Sequence, residues 1–405
     1  MELWSHQKEA VERAKNMSHF GLFFQPGTGK SATVINILRD KMNREKKLFK
    51  IIIFSPLITL SNWKNEWKMF SKVNPKDVII LDGSSKDRLK EITKRAGRPT
   101  IYITNPHALL MKTVFEAFME WGPEALILDE SHRYKNGTAQ TTKKAVILAG
   151  MPTIKYRYIL SGTPILNTAM DIFWQYYLLD RGLSFGQNYY VFRAKYFKDA
   201  NAGMPSHIHF PNWQVRNLQQ DRFDALKEIA DKIAPSSMHV KKEDVLDLPP
   251  LVKKTILVGM SPQQTKAYQE MERDLVTYLK TEYNQELAAT AQMALTKALR
   301  LLQIASGHVN TEEGACFTFK DTPKDDALEH LLEEICPHHK VLIWCSFREN
   351  YRAVRAICDK LKIKTVDITG ETKDKDASIR SLYDDPETRV LIGYAGSGGI
   401  GINLV

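Results

Sequence analysis

Short apolar runs recur along the chain, separated by polar stretches of helical length. They are Ile51–Phe54, Val78–Leu81, Ile101–Ile103, Leu126–Leu128, Tyr158–Leu160, Val341–Cys345, Lys364–Ile368 and Val390–Ile392. Runs of this length, alternating with helix-length segments, predict parallel sheets covered by helices. The first five form one set and the last three another. Between them, from roughly 165 to 335, helical periodicity dominates and strand signals are few, with Pro249-Pro250 as a plausible break. The expected fold class is α/β, with two sheet-centred lobes. Residues 1–248 form the first lobe, with a helical protrusion over about 170–245, and residues 249–405 form the second. No internal repeat is visible.

Candidate chemistry sits at the ends of two such runs. Gly21-Leu22-Phe23-Phe24 reads as a strand feeding Pro26-Gly27-Thr28-Gly29-Lys30-Ser31. A Gly-rich turn presents consecutive backbone N–H groups to phosphate, and the following helix adds its positive end. Gly27, Thr28 and Gly29 supply the cradle, Lys30 reaches the β and γ phosphates, and Ser31 ligates Mg²⁺. The strict phosphate-loop pattern would require Gly at position 24, where this chain has Phe24. Taken alone, the loop also reads as an ordinary Pro-Gly turn before a helix. The second run, Ala125-Leu126-Ile127-Leu128, leads into Asp129-Glu130-Ser131-His132. There Asp129 would hold the same Mg²⁺ through water, and Glu130 would orient and deprotonate the attacking water. Together the two segments predict ATP hydrolysis, with ATP and Mg²⁺ as cofactors.

Composition narrows the partners. The 405 residues are 43% hydrophobic and 26% charged, as in soluble globular proteins. A net charge of +10, spread rather than blocked, favours a polyanion in a basic groove. The four cysteines, Cys316, Cys336, Cys345 and Cys358, form no Cys-x-x-Cys pair, so neither a zinc ribbon nor a disulfide framework is expected. Cys336-Pro337-His338-His339 reads as a polar loop, because no second paired cluster accompanies it. The N-terminus is no signal peptide and no stretch reaches membrane-spanning length, so a soluble intracellular protein without a membrane partner is expected. Residues 183–215 interleave rings and bases, as in Tyr189, Tyr190, Phe192, Arg193 and Lys195. That stretch suits either a nucleic-acid surface or, the preferred reading, an amphipathic helix packing its rings inward.

Ordered along the chain, these blocks resemble the SWI/SNF-like DNA translocases of helicase superfamily two. Leu3-Trp4-Ser5-His6-Gln7 resembles the family's adenine-reading motif, with Gln7 as reader. Pro56-Leu57-Ile58-Thr59-Leu60-Ser61-Asn62-Trp63-Lys64-Asn65-Glu66-Trp67 is similar to a motif whose Leu-x-x-Trp-x-x-Glu core separates this family from other helicases. Ile103-Thr104-Asn105-Pro106 stands where the family places a backbone-contacting loop. Asp129-Glu130-Ser131-His132 resembles its Asp-Glu-Ala-His box with Ser131 replacing Ala. Leu160-Ser161-Gly162-Thr163-Pro164 resembles the motif that couples ATP state to DNA grip. Val240-Lys241-Lys242 with Leu248-Pro249-Pro250 matches a basic segment before a Leu-Pro turn. Lys340–Ser346, Thr369-Gly370 and Ala395–Leu404 resemble motifs of the second lobe.

The resemblance implies two RecA-like parallel-sheet lobes and an ATP-dependent motor on double-stranded DNA, working as a monomer. It implies nucleotide contacts from Gly398 and Gly401. It also implies DNA contacts from Thr59, Asn62, Trp63, Thr104 and Ser161 in lobe one, and from Ser346, Thr369 and Ser397 in lobe two. The compartment would be the cytoplasm of a bacterium or a phage-infected cell, or the nucleus in a eukaryote. The family's last motif, which carries γ-phosphate-stabilising arginines, would lie beyond Val405; lobe two is expected to be incomplete and turnover low. Two other readings stay open: an RNA-directed helicase of the same superfamily, and an ATP-regulated DNA clamp with little turnover.

Overall fold

The computed structural model describes residues 2–205, 209–221, 223–247, 252–281, 287–310, 315–320, 322–372 and 374–394. The chain divides into two compact units at residues 249/250.

The first unit is built on a seven-stranded sheet. Its elements run α1 (Ser5–Ala14), β1 (His19–Phe24), α2 (Lys30–Glu45), β2 (Ile51–Phe54), α3 (Leu60–Phe70), β3 (Val78–Leu81), α4 (Ser85–Lys94), β4 (Ile101–Thr104), α5 (Lys112–Trp121), β5 (Ala125–Asp129), α6 (Gln140–Ala149) and β6 (Tyr156–Leu160). Then follow α7 (Ile172–Asp180), α8 (Tyr189–Tyr196), β7 (Phe197–Asp199), β8 (Trp213–Val215), α9 (Leu218–Asp221), α10 (Ala225–Ile233), β9 (Ser237–Val240) and α11 (Lys242–Val245). The sheet order is β3-β4-β2-β5-β6-β1-β9, and every pairing is parallel. All strands therefore end at one edge, where a parallel α/β sheet places its ligands.

Alternation along the strands divides the core between the two faces. Phe23, Ile52, Phe54, Leu126, Leu128 and Ile159 pack on one side with α5, α6 and α7. Leu22, Phe24, Ile51, Ile53, Ile127 and Leu160 pack on the other with α1, α2 and α3. Burial on both faces is why these strands read as continuous apolar runs. The run 51–54 is wholly buried.

The five predicted runs of this lobe are strands, and so is the strand expected to feed the loop. One strand of this sheet was not legible. β9, Ser-Met-His-Val, lies in the stretch read as helical and closes the sheet beside β1. An edge strand of four mixed residues leaves too little apolar pattern to find. The aromatic stretch resolves towards packing: Phe192, Tyr196 and Phe197 are buried core, and Arg193 stacks on Trp213 at 4.0 Å.

Lys41 is an unusual core residue of α2. Its ammonium donates to the carbonyls of Ala14, Lys15 and Met17 at 3.3, 3.2 and 2.8 Å, so it closes the C-terminal end of α1. Burial pulls its pKa down to about 8. Lys41→Met is expected to destabilise the first unit by about 1.5–3 kcal/mol, because those carbonyls lose a charged donor. A lower unfolding temperature of the nucleotide-free protein is the check.

The second unit contains α12 (Pro262–Thr281), α13 (Leu287–Ala305), β10 (His308–Asn310), β11 (Cys316–Thr318), α14 (Pro323–Ile335), β12 (Val341–Cys345), α15 (Arg348–Lys360), β13 (Lys364–Ile368), α16 (Lys375–Asp384) and β14 (Thr388–Tyr394). The three predicted runs form a parallel sheet of order β12-β14-β13. Cys345 and Cys358 lie in its core, as free thiols.

Candidate nucleotide-binding site

β1 ends at Phe24, and the loop that follows is shaped by two glycines with positive φ, Gly27 at 85° and Gly29 at 80°. Gly29 caps α2, whose first turn contains no acidic residue to cancel its dipole. Thr28 is buried and turns back, its hydroxyl donating to the Gln25 carbonyl at 2.7 Å. Lys30 Nζ donates to the Phe24 carbonyl at 2.9 Å, which folds the ammonium over the loop. Ser31 follows in the first turn of α2.

Helix α1 buttresses this loop. Gln7 is buried; its Oε1 accepts from Trp4 N at 2.9 Å and its Nε2 approaches the Gly29 carbonyl at 3.4 Å. His6 Nε2 donates to the Thr28 carbonyl at 2.9 Å. His6 was not singled out from the sequence, although its place beside Gln7 was the available signal. A further cation comes from α11: a Cβ built on Gly27 would lie 3.5 Å from Lys242 Nζ. Lys242 N also donates to Gln25 Oε1 at 2.9 Å, so the basic segment is tied to the loop.

At the same sheet edge β5 ends at Asp129. Its Oδ2 accepts from Ser55 Oγ at 2.6 Å and from Trp63 Nε1 at 2.9 Å, and its Oδ1 accepts from Glu130 N at 3.0 Å. Glu130 adopts φ 48°, ψ 54°, a left-handed conformation rare for a residue with a side chain. Strain of this kind is tolerated where a side chain must be aimed. Burial, and then the neighbouring Asp129, push the Glu130 carboxyl above its usual range. The same two causes, in the same order, push Glu66 up to about 7, with Ser31, Lys30 and the Ala32 N–H pulling the other way. Glu66, on α3, thus belongs to this cluster.

The Asp-Glu-Ser-His segment is tied to its neighbours by short bonds. His132 Nδ1 lies 3.0 Å from Ser161 Oγ, which accepts from Thr163 N at 3.1 Å. Ser131, the departure from Ala, donates to Gln175 Oε1 at 2.7 Å; Gln175 Nε2 in turn donates to the Pro164 carbonyl at 2.6 Å.

Four of the residues expected at DNA have their side chains turned inward. Trp63 and Thr59 are 2% and 7% exposed, and Thr104 and Ser161 are fully buried. Trp63 and Thr59 point into the Asp129 network. Thr104 Oγ1 donates to the Leu81 carbonyl and accepts from Arg88. Their polar atoms are bonded inside the protein. Asn62 is half-buried, Ser346 is exposed and Thr369 is half-buried. Ser397, Gly398 and Gly401 lie outside the described residues.

The donor set suits Mg²⁺ in a nucleotide complex. Among the described residues, no group of three or more His, Cys, Asp or Glu side chains could hold a metal by itself. Mg²⁺ at such sites takes one or two protein ligands and completes its shell with phosphate and water. Ser31 and Asp129 fit that role, and a divalent cation would offset the crowding of Glu66, Asp129 and Glu130 around Lys30.

Residues 6–308 match the SNF2-related domain. An uncharacterized ATP-dependent helicase, MG018 of Mycoplasma genitalium, is 24% identical over 99% of this chain and 36% of its own length. Protein p41 of Acyrthosiphon pisum secondary endosymbiont phage 1 is 23% identical over 93% of this chain and 77% of its own. The transcription regulatory protein SNF2 of Saccharomyces cerevisiae is 24% identical over 93% of this chain and 22% of its own. The SWI2/SNF2 ATPase core of Sulfolobus solfataricus, solved with double-stranded DNA, covers 97% of this chain and 78% of that one, at 21% identity and a TM-score of 0.49. The chain spans about a third of the Mycoplasma relative and less of the yeast one. Since the domain match takes in more than half of the chain and includes the β1 loop, α3 and the Asp-Glu-Ser-His segment together, this protein belongs to the SNF2-related family of helicase-like ATPase domains.

Proposed function

We propose that this chain binds ATP with Mg²⁺ in the first unit, hydrolyses it, and couples hydrolysis to movement on double-stranded DNA. The observation that carries the reading is the meeting, at one sheet edge, of the glycine loop with Lys30 and Ser31 and the strand end with Asp129 and Glu130. In this reading the loop N–H groups and the α2 end hold the phosphates, and Lys30 neutralises their charge. Gln7 reads the adenine edge by letting go of Trp4 N and the Gly29 carbonyl. Glu130 accepts the proton of the attacking water. Bound Mg²⁺ supplies charge stabilisation for the transferred phosphoryl group.

The +10 net charge supports a polyanionic track. With Thr59, Trp63, Thr104 and Ser161 turned inward, the contacts fall to the loop backbone and to Asn62, Ser346 and Thr369. Such contacts go to phosphate and sugar, so little sequence preference is expected. The test is ATP turnover with and without double-stranded DNA, with RNA as the comparison. Stimulation by double-stranded DNA that fades as salt rises is the expected result. Stimulation by RNA alone, or by neither, would replace the DNA-motor reading.

A further inference from the structure

We propose that Trp63 and Glu66, one turn apart on α3, are positioning residues for the two Mg²⁺ ligands Asp129 and Ser31. The proposal rests on the ATP reading above and adds to it a role for the Leu-x-x-Trp-x-x-Glu segment.

The geometry begins with Trp63. A buried indole N–H needs an acceptor, and here it is Asp129 Oδ2 at 2.9 Å. Ser55 donates to the same oxygen at 2.6 Å. Ser55 Oγ also lies 2.5 Å from Thr59 Oγ1. Each hydroxyl has one proton. Since that of Ser55 goes to the carboxylate, the single Thr59 proton is shared between Ser55 Oγ and the Pro56 carbonyl, which lies 2.8 Å away, and Thr59 braces Ser55 against Asp129. Networks of this kind strengthen each member. With Oδ1 taking the Glu130 N–H, the carboxylate plane of Asp129 is fixed by three donors, two of them from the segment 55–63. Its remaining lone pairs would be left to accept from the water of a bound Mg²⁺.

Glu66 stands three residues after Trp63, on the same face of α3. Its Oε2 is buried with no hydrogen-bond partner in the protein, and its carboxyl faces the Ser31 hydroxyl. A serine that gives a lone pair to Mg²⁺ must point its proton elsewhere. Glu66 is the acceptor placed to take it. One helix therefore stands behind both ligands, bonded to Asp129 through Trp63 and carrying Glu66 beside Ser31. Partners of this kind typically tune metal affinity by about 10–100-fold.

The experiment follows binding rather than turnover. The affinity of a fluorescent ATP analogue is measured in EDTA and across a Mg²⁺ titration, for wild type and three variants. Trp63→Phe keeps the ring and removes the donor; Glu66→Met keeps the volume and removes the acceptor. Both are expected to raise the Mg²⁺ midpoint by about tenfold, with affinity in EDTA held within about twofold. Glu66→Gln, whose amide oxygen still accepts, should recover part of the shift. Wild-type Mg²⁺ midpoints in both Trp63→Phe and Glu66→Met would overturn the proposal. So would a loss of affinity equal with and without Mg²⁺, the mark of general damage. A wild-type protein blind to ATP, or binding it with no response to Mg²⁺, would overturn the ATP reading as well, which separates the two failures.

Discussion

Glu130→Gln is expected to slow ATP turnover by about 10²–10⁴-fold while leaving ATP affinity near that of wild type. The glutamine keeps the size and the left-handed backbone but cannot take a proton. The lost function is therefore general-base chemistry, and the nucleotide contacts from the β1 loop stay in place. The surroundings sharpen the expectation. Glu130 lies between Asp129 and His132, whose Nδ1 is 3.4 Å from Glu130 Oε2. Burial lowers the pKa of His132, so the imidazole beside Glu130 stays neutral. Turnover measured at saturating ATP, together with a separate binding titration, checks both halves. A variant that retained wild-type turnover would move the base to another residue, and a variant that lost ATP binding would give Glu130 a structural role instead.

Gly29→Ala is expected to weaken ATP binding by about 30–100-fold, for two separable reasons. At φ 80° the alanine Cβ is strained wherever it points, at a cost of about 1–2 kcal/mol. That Cβ would also lie 2.0 Å from Gln7 Nε2, so the amide must leave its place beside the loop. Gly29 is the N-cap of α2, and any shift there turns the first N–H groups away from phosphate. Pairing Gly29→Ala with Gln7→Ala distinguishes the two causes. The double variant should bind better than Gly29→Ala combined additively with Gln7→Ala, because the steric part is shared, while the backbone part persists. Strict additivity would mean that Gln7 and the loop do not touch in solution.

Much of the fold was legible because strand burial leaves a local mark. Ile51–Phe54 or Ala125–Asp129 is apolar at every early position because helices cover both faces, and no distant information is needed to see it. β9 had no such mark, since Ser237 and His239 are polar and its place at the sheet edge is set by pairing with β1. The loop and the acidic segment were legible for a different reason: phosphate and metal chemistry allow few residue types at those spacings.

What only the tertiary structure decided is which way the polar side chains of these motifs turn. Thr59, Trp63, Thr104 and Ser161 sit in segments for which the family resemblance implied DNA contacts, yet each spends its polar atom inside the protein. A hydrogen-bond partner 66 residues away, as for Trp63 and Asp129, leaves no trace in the spacing around either residue. The sequence by itself determined that parallel strands form and where the glycine loop and the acidic segment fall, because burial and loop geometry each act on consecutive residues. The sheet order then brought β2, β5 and the start of α3 together. That juxtaposition made Ser55, Trp63 and Glu66 the surroundings of Asp129 and Ser31.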